Sequence, residues 1–306
     1  MTEAATRGQE PDCGPAAGVV TRFAPSPTGA LHLGHGWSAI LAHDRARAAG
    51  GRFVLRIEDI DGVRSRPEHV ARMLDDLAWL GLAWDGPVLF QSTRLAAYTA
   101  ALDRLQAMDL LYPCFCTRSA IAREIAASLS APHVGPGGAV YPGTCRALDP
   151  QQRADRLASA PHAWRIDMAR AVGQAGAIGW HDSIAGAVIA DPLAHGDVVL
   201  ARKDAPASYH LAVTIDDAAQ GVTDIVRGVD LFAATDVHRL LQALLGLPVP
   251  RYHHHPLMLD GNGRRLAKRD GAPSLAALRR AGADGLVLAE RLRTGQSPIG
   301  IGGPMA

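Results

Sequence analysis

The sequence predicts an α/β fold in which a parallel sheet is flanked by helices and interrupted by an inserted module. Three observations predict it. Short β-branched runs alternate with amphipathic helical stretches from Val19 to Tyr112. That rhythm breaks from Cys114 to about His195, where Ala, Gly, Pro and scattered charge dominate. It returns at Asp197 and persists to Leu259.

Val19 to Ala24 reads as a strand that leads into PSPTGALHLGHG, a loop dense in Pro and Gly. A helical stretch follows from about Gly36 to Ala49 and stops at Gly50-Gly51. Phe53 to Ile57 is a second strand. Pro67 opens an amphipathic helix with Val70, Met73, Leu74, Leu77 and Leu80 on one face. Another helix spans Ser92 to about Leu110, with Leu95, Tyr98, Leu102, Leu105 and Met108 inward. After the irregular stretch come a strand at Asp197 to Ala201, a helix near Ser208 to Asp217 and a strand at Thr223 to Val226. A helix from Asp236 to Leu245 ends at Gly246 and Pro248. Tyr252 to Leu259 is a further strand, and GNGRRLAKRDG is a loop. The expected organisation is a disordered tail (1–18), the first half of the core (19–112), the inserted module (113–195), the second half with the basic loop (196–273) and a short helical end (274–306).

At 306 residues, with 48% hydrophobic and 20% charged positions, the composition is that of an ordinary soluble enzyme. No apolar run reaches the roughly 18 residues of a membrane span. Residues 1–18 lack the apolar core of a secretory signal, so the expected location is the cytoplasm. A net charge of +1 does not announce a nucleic-acid partner. Arg264, Arg265, Lys268 and Arg269 do cluster, with Arg279 and Arg280 close behind, but a solvated basic face accounts for such a run equally well.

The most informative segment is HLGHG, where His32 and His35 bracket glycines at a strand-to-helix turn. A helix N-terminus presents unpaired N–H groups and partial positive charge, which suits phosphate. Gly34 and Gly36 allow close approach to the backbone. Two imidazoles there can donate to phosphate oxygens. Taken alone, the segment reads equally as a surface turn. Far downstream, Lys268 in RRLAKRDG can reach β- and γ-phosphates, where charge builds when a carboxylate attacks the α-phosphate.

Together these segments resemble the paired signatures of class I aminoacyl-tRNA synthetases, whose catalytic core is Rossmann-like. RFAPSPTGALHLGH, RIEDID, YHLAVTIDD, VTDIVRGVDL and RRLAKR occur in the order of the glutamyl/glutaminyl branch. The resemblance spans about Val19 to Ser274. Within the branch the chain is more similar to the short glutamyl-Q tRNA(Asp) synthetases, because few residues follow RRLAKR and no anticodon-binding domain is expected after it. The CFC and YPGTC stretches also match that group's metal-binding insertion. The resemblance implies ATP with Mg²⁺, L-glutamate and the queuosine-bearing anticodon stem-loop of tRNA(Asp) as partners, and a monomeric enzyme. It implies catalytic roles for His32, His35 and Lys268, with Gly34 also on ATP. Two positions depart from the family pattern: Arg265 stands where Lys is usual, and Ala267 where Ser is usual.

Glutamate carries two carboxylates and one ammonium, so its pocket needs two cations and one anion. Arg22 and Arg227 end strands, where ligands bind in parallel α/β sheets, and Glu58 in RIEDID suits the ammonium. The backbone from Arg22 through Phe23, Ala24, Pro25 and Ser26 lines this pocket, with Tyr209 as hydroxyl donor or lid. The resemblance places glutamate at these positions. Which arginine takes which carboxylate stays open, and structural ion pairing is the competing reading for each. Asp216 and Asp217 form an acid pair for which a structural role is at least as good.

Cys114 and Cys116 flank one residue, and Cys145 lies 29 positions on. Three thiolates so placed can occupy three corners of a tetrahedral zinc site, or remain unmetallated in a reducing compartment. The resemblance puts Tyr141 in the fourth corner, and His133 is a chemically better alternative. A zinc ion here would be structural. In the HHH run at 253–255, strand alternation puts only His253 and His255 on one side, and a structural or nucleotide-adjacent role is expected.

Overall fold

A computed structural model describes residues 18–62, 64–127, 134–136, 138–259 and 273–294. The expected tail, Lys268 with its basic neighbours, and His133 lie outside the described residues. The chain begins β1 (Val20–Phe23), α1 (Leu33–Ala48), β2 (Arg52–Ile57), α2 (Pro67–Trp79) and β3 (Leu89–Phe90). These strands pair in parallel in the order β1-β2-β3. Helices must then cross back over one face, and Leu33, Ile40, Leu55, Leu77 and Leu80 are all buried in the resulting cluster.

The chain continues through α3 (Leu95–Ala107), β4 (Leu111–Cys114), α4 (Arg118–Ala127), β5 (Val134–Gly135), β6 (Gly138–Ala139), α5 (Pro150–Ser159) and β7 (Ala163–Ile166). It then forms α6 (Met168–Ala175), β8 (Gly179–Asp182), β9 (Gly186–Ile189) and β10 (Val199–Ala201). Last come α7 (Tyr209–Ala219), β11 (Asp224–Gly228), α8 (Ala234–Leu245), β12 (Arg251–His255), α9 (Leu275–Arg280) and α10 (Gly285–Arg293). β11, β12 and β8 pair in parallel, and β9 completes that sheet as a hairpin.

The two parallel sheets meet where Thr223 N–H donates to Val20 O at 2.9 Å and Val20 N–H donates to Thr223 Oγ1 at 2.9 Å. β1 therefore lies beside β11. From this seam the chain runs outward through β2 and β3 on one side, and through β12 and β8 on the other. Such a reversal of strand order leaves a crevice at the carboxyl ends of the central strands. Both nucleotide and amino-acid candidates fall there.

Several expectations need correction. α1 begins at Leu33 rather than Gly36 because His32 and His35 cap it reciprocally. α3 is shorter than the periodicity suggests, and Leu95 is exposed at its first turn. Strand pairing crosses the expected boundaries of the irregular stretch. Its hairpin β8–β9 extends the main sheet through β12, while β4, β7 and β10 form an antiparallel sheet using strands from both sides of the expected boundaries. Strand partners far apart in sequence leave no local signature, so hydrophobic rhythm alone could not place them. Among the described residues, no helix is long and apolar enough to cross a membrane.

Candidate functional site

The crevice is a cavity of about 430 Å³. Arg22, Phe23, Ala24, Pro25, Ser26, His32, Gly34, His35, Glu58, Tyr209 and Arg227 all line it. Residues from four separated segments thus converge as expected. The local causes are visible. Glu58 N–H donates to Pro25 O at 3.0 Å, tying the end of β2 to the loop after β1. Ser208 caps α7 and sets Tyr209 at its first turn.

At α1, Gly34 N–H donates to His32 Nδ1 at 3.1 Å, and His32 N–H donates to His35 Nδ1 at 3.3 Å. The rings lie 3.7 Å apart between centroids. In each neutral ring, acceptance at Nδ1 leaves the proton on Nε2. The helix N-terminus thus presents two imidazole N–H donors beside its own amides. A Cβ at Gly34 would lie 3.1 Å from the His32 ring, so glycine preserves the cap geometry. Gly36 differs from expectation: it is buried, its Cβ position faces Leu275 and Leu80 at 3.3 Å, and its smallness serves packing.

The two pocket arginines have different electrostatic company. Arg22 Nε donates to Asp217 Oδ1 at 3.0 Å and Nη2 to Asp217 Oδ2 at 3.4 Å. Asp217 also holds fully buried Arg56 at 2.8 Å, and Arg56 Nη2 lies 3.6 Å from Glu58 Oε1. Burial opposes ionisation of Asp217, but Arg22 and Arg56 outweigh it and hold the carboxyl below its usual range. For Glu58 burial wins over the same arginines and pushes the pKa up. Among the described residues, Arg227 instead donates only to neutral acceptors: His254 Nε2 at 3.1 Å, Tyr209 Oη at 3.2 Å, Thr235 Oγ1 at 2.7 Å and Leu231 O at 3.2 Å. His238 Nδ1 adds a contact at 3.4 Å.

The sequence reading missed Arg56, Thr235, His238 and Asp182, and gave the run containing His254 only a structural or nucleotide-adjacent role. Asp217 was seen, and its role is to hold two arginines. Asp216 accepts from Tyr98, Arg94 and Gln91, which makes the acid pair structural. The only available signal for the missed groups was indirect: a buried arginine requires acceptors, and strand alternation sends His254 to the face opposite His253.

The described flanks of the Lys268 segment reach the same cavity. Leu257 and Met258 line it, while Ser274 bridges to His32 and Leu275 N–H donates to Leu31 O at 2.9 Å.

The family profile described as "tRNA synthetases class I (E and Q), catalytic domain" matches residues 18–298. The chain belongs to this family. It is 52% identical over 271 residues to a glutamyl-Q tRNA(Asp) synthetase of Rhodobacter capsulatus, covering 87% of this chain and 96% of that protein. A second of that name, from Nocardia farcinica, is 49% identical over 276 residues, covering 88% and 81%. Among solved structures, a glutamate-tRNA synthetase of Elizabethkingia anophelis matches with TM-score 0.77 and 27% identity, over 92% of this chain and 62% of that one. A glutamate tRNA ligase of Elizabethkingia meningosepticum, solved in complex with its amino acid, gives TM-score 0.70 and 30% identity over 83% and 52%. The chain thus spans less than two thirds of those two solved chains.

In this class I synthetase the three cysteines also come together. Their Sγ atoms lie within 4.8 Å of one another, and none forms a disulfide. Tyr141 Oη lies 3.6 Å from Cys114 Sγ and 3.5 Å from Cys116 Sγ, and accepts from Cys145 N–H at 2.9 Å. Burial pushes the Cys116 thiol up to about 11. For Cys145 burial is outweighed by hydrogen bonds from Tyr141 and Phe115 N–H, which lower it.

The synthetase core holds three buried histidines neutral. Burial, reinforced by Arg227, pulls His254 down to about 4 and holds His238 well below the usual histidine value. Burial, then His195 and Arg227, bring His210 to about 4. Unfolded histidines titrate near pH 6.5, so between about pH 6.5 and 4 the unfolded chain binds protons that the fold refuses. Stability is therefore full above that window and falls as pH drops through it. Glu58 and Asp76, both raised by burial, oppose the trend with fewer groups. We expect the urea midpoint to decrease from pH 7.5 to pH 5; a constant midpoint would contradict neutral burial of these rings.

Proposed function

We propose that this chain activates glutamate with ATP as glutamyl-adenylate and transfers the glutamyl group to queuosine of tRNA(Asp). The observation that carries the first half is Arg227, a buried guanidinium on neutral acceptors in the cavity that Arg22 and Glu58 also line. A cation that no carboxylate of the described residues contacts favours an anionic ligand. Arg22, Arg227 and Glu58 supply the two cations and one anion that glutamate requires. The second half rests on the name borne by the relatives, which match over 96% and 81% of their own lengths.

In the activation step an oxygen of the glutamate α-carboxylate forms a bond to the α-phosphorus. The bond to the bridging oxygen breaks, and pyrophosphate leaves with the electron pair. The carboxylate is already a nucleophile, so positioning and charge neutralisation suffice. His32 and His35 at the α1 N-terminus donate to phosphate oxygens, with Lys268 as the cation for the leaving group. Mg²⁺ arriving with ATP supplies further neutralisation. A queuosine cyclopentene hydroxyl then attacks the acyl carbon, AMP departs with the bonding pair, and the hydroxyl proton is released. Incubation with labelled glutamate, ATP and tRNA(Asp) tests the acceptor. Label should appear only on queuosine-bearing RNA and should also be accepted by an isolated queuosine-bearing anticodon stem-loop, which lacks the 3′ end of the tRNA. Labelling of queuosine-free tRNA at its 3′ end would reject the assignment.

The cysteine cluster suits one structural zinc. Zn–S bonds of about 2.3 Å in a tetrahedron place sulfurs about 3.8 Å apart, compatible with three Sγ atoms within 4.8 Å of one another. Cys114, Cys116 and Cys145 would supply thiolates and Tyr141 its oxygen. The sulfurs join β4 to the 141–145 turn in a region with little core of its own. Metal analysis should return one zinc per chain, and Cys145→Ser should lose it together with several degrees of melting temperature. Full stability of the metal-free protein would make the zinc reading wrong.

A further inference from the structure

We propose that Asp182 and His254 form a positioning pair for Arg227, setting the imidazole tautomer so that a neutral ring holds the guanidinium and its charge stays available to the ligand. The inference rests on the reading of Arg227 as a glutamate-binding residue.

Asp182 ends β8 and is buried. Its Oδ1 accepts from Ile184 N–H at 2.8 Å and Ala185 N–H at 2.9 Å. Its Oδ2 accepts from His254 N–H at 3.0 Å and lies 2.8 Å from His254 Nδ1. Burial acts against the charge of Asp182, but these N–H donors outweigh it and hold the carboxyl below its usual range. An ionised carboxylate only accepts, so the contact requires a proton on Nδ1. In a neutral ring Nε2 then carries a lone pair. That is where Arg227 Nε–H donates, at 3.1 Å.

The consequence is a carboxylate placed one ring away from the guanidinium. Arg22 shows the alternative, with Asp217 in direct contact and its charge matched. A carboxylate touching Arg227 would compete with the ligand for the same donors. A neutral His254 orients the fork without that competition. His238 and Thr235 complete the neutral cradle, and Thr235 Oγ1 also lies 3.3 Å from His254 Nε2. Without Asp182 the ring is free to protonate Nε2 instead, and two N–H groups would then face each other across the Arg227 contact.

The test is glutamate-dependent pyrophosphate exchange with His254→Phe, His254→Gln and Asp182→Asn, with Arg227→Ala as reference. His254→Phe should raise the glutamate KM on the order of tenfold, the loss of one hydrogen bond to a charged group, with the ATP KM within about twofold. His254→Gln, whose amide oxygen restores an acceptor, should recover most of that loss. ¹⁵N-histidine spectra should show His254 protonated on Nδ1 in the wild-type protein and a mixed tautomer in Asp182→Asn. Protonation on Nε2 in the wild type would overturn the proposal. So would equal rises in both KM values, the mark of a merely structural role, or an unchanged glutamate KM in His254→Phe while Arg227→Ala raises it. An unchanged glutamate KM in Arg227→Ala itself would instead refute the underlying assignment of Arg227.

Discussion

Arg227→Ala is expected to lower kcat/KM for glutamate in pyrophosphate exchange by roughly two to three orders of magnitude, mostly through KM. The size follows from the environment. Removing one partner of a buried, hydrogen-bonded charge pair costs several kcal/mol, and each 1.4 kcal/mol is about a factor of ten. The ATP KM should change little, because the part of the cavity proposed for the phosphates is lined by the start of α1 and its capping histidines. Arg227→Lys should recover only part of the loss. A lysine cannot make the separate contacts to His254, Tyr209 and Thr235 that hold the planar fork. A wild-type glutamate KM in a folded Arg227→Ala protein would remove the main support for a glutamate site.

The second large effect concerns Lys268→Ala, which should reduce exchange by roughly 10²- to 10³-fold while leaving the glutamate KM within about twofold. The described residues before and after the Lys268 segment reach the cavity: Met258 lines it and Ser274 bridges to His32, which also lines it. In the proposed step the Lys268 ammonium would meet the leaving pyrophosphate, where charge grows as the bond breaks. Interactions that strengthen on the way to the transition state act on kcat rather than on ground-state binding. Exchange at the wild-type rate would refute the role assigned to this lysine. Arg265, one of the two departures of the loop from the family pattern, retains a positive charge.

Much of the site was legible because its chemistry is local. HLGHG declares a strand-to-helix turn through its own composition, although the capping of α1 by His32 and His35 came only with the structure. CFC and YPGTC declare a thiol cluster, and the sulfurs do converge. Arg22, Glu58 and Arg227 were legible as charges at strand ends. Their partners were not. Asp217 reaches Arg22 across 195 positions, and Asp182 reaches His254 across 72. No pattern of period 2 or 3.6 reports such pairings.

The amino-acid order by itself determined the alternation of strand and helix, the strand-to-helix turn at HLGHG, the residue types that line the cavity and the family. These depend on contacts within a few residues or on motifs carried intact. Only the tertiary structure decided that β8 belongs to the main sheet, that Gly36 is a packing residue, and that the two arginines differ. The physical reason is the same in each case. Strand partners, packing neighbours and the counter-charges of a buried guanidinium are chosen by what the closed chain brings within a few ångströms, and β1 and β11 meet only once the sheet is assembled.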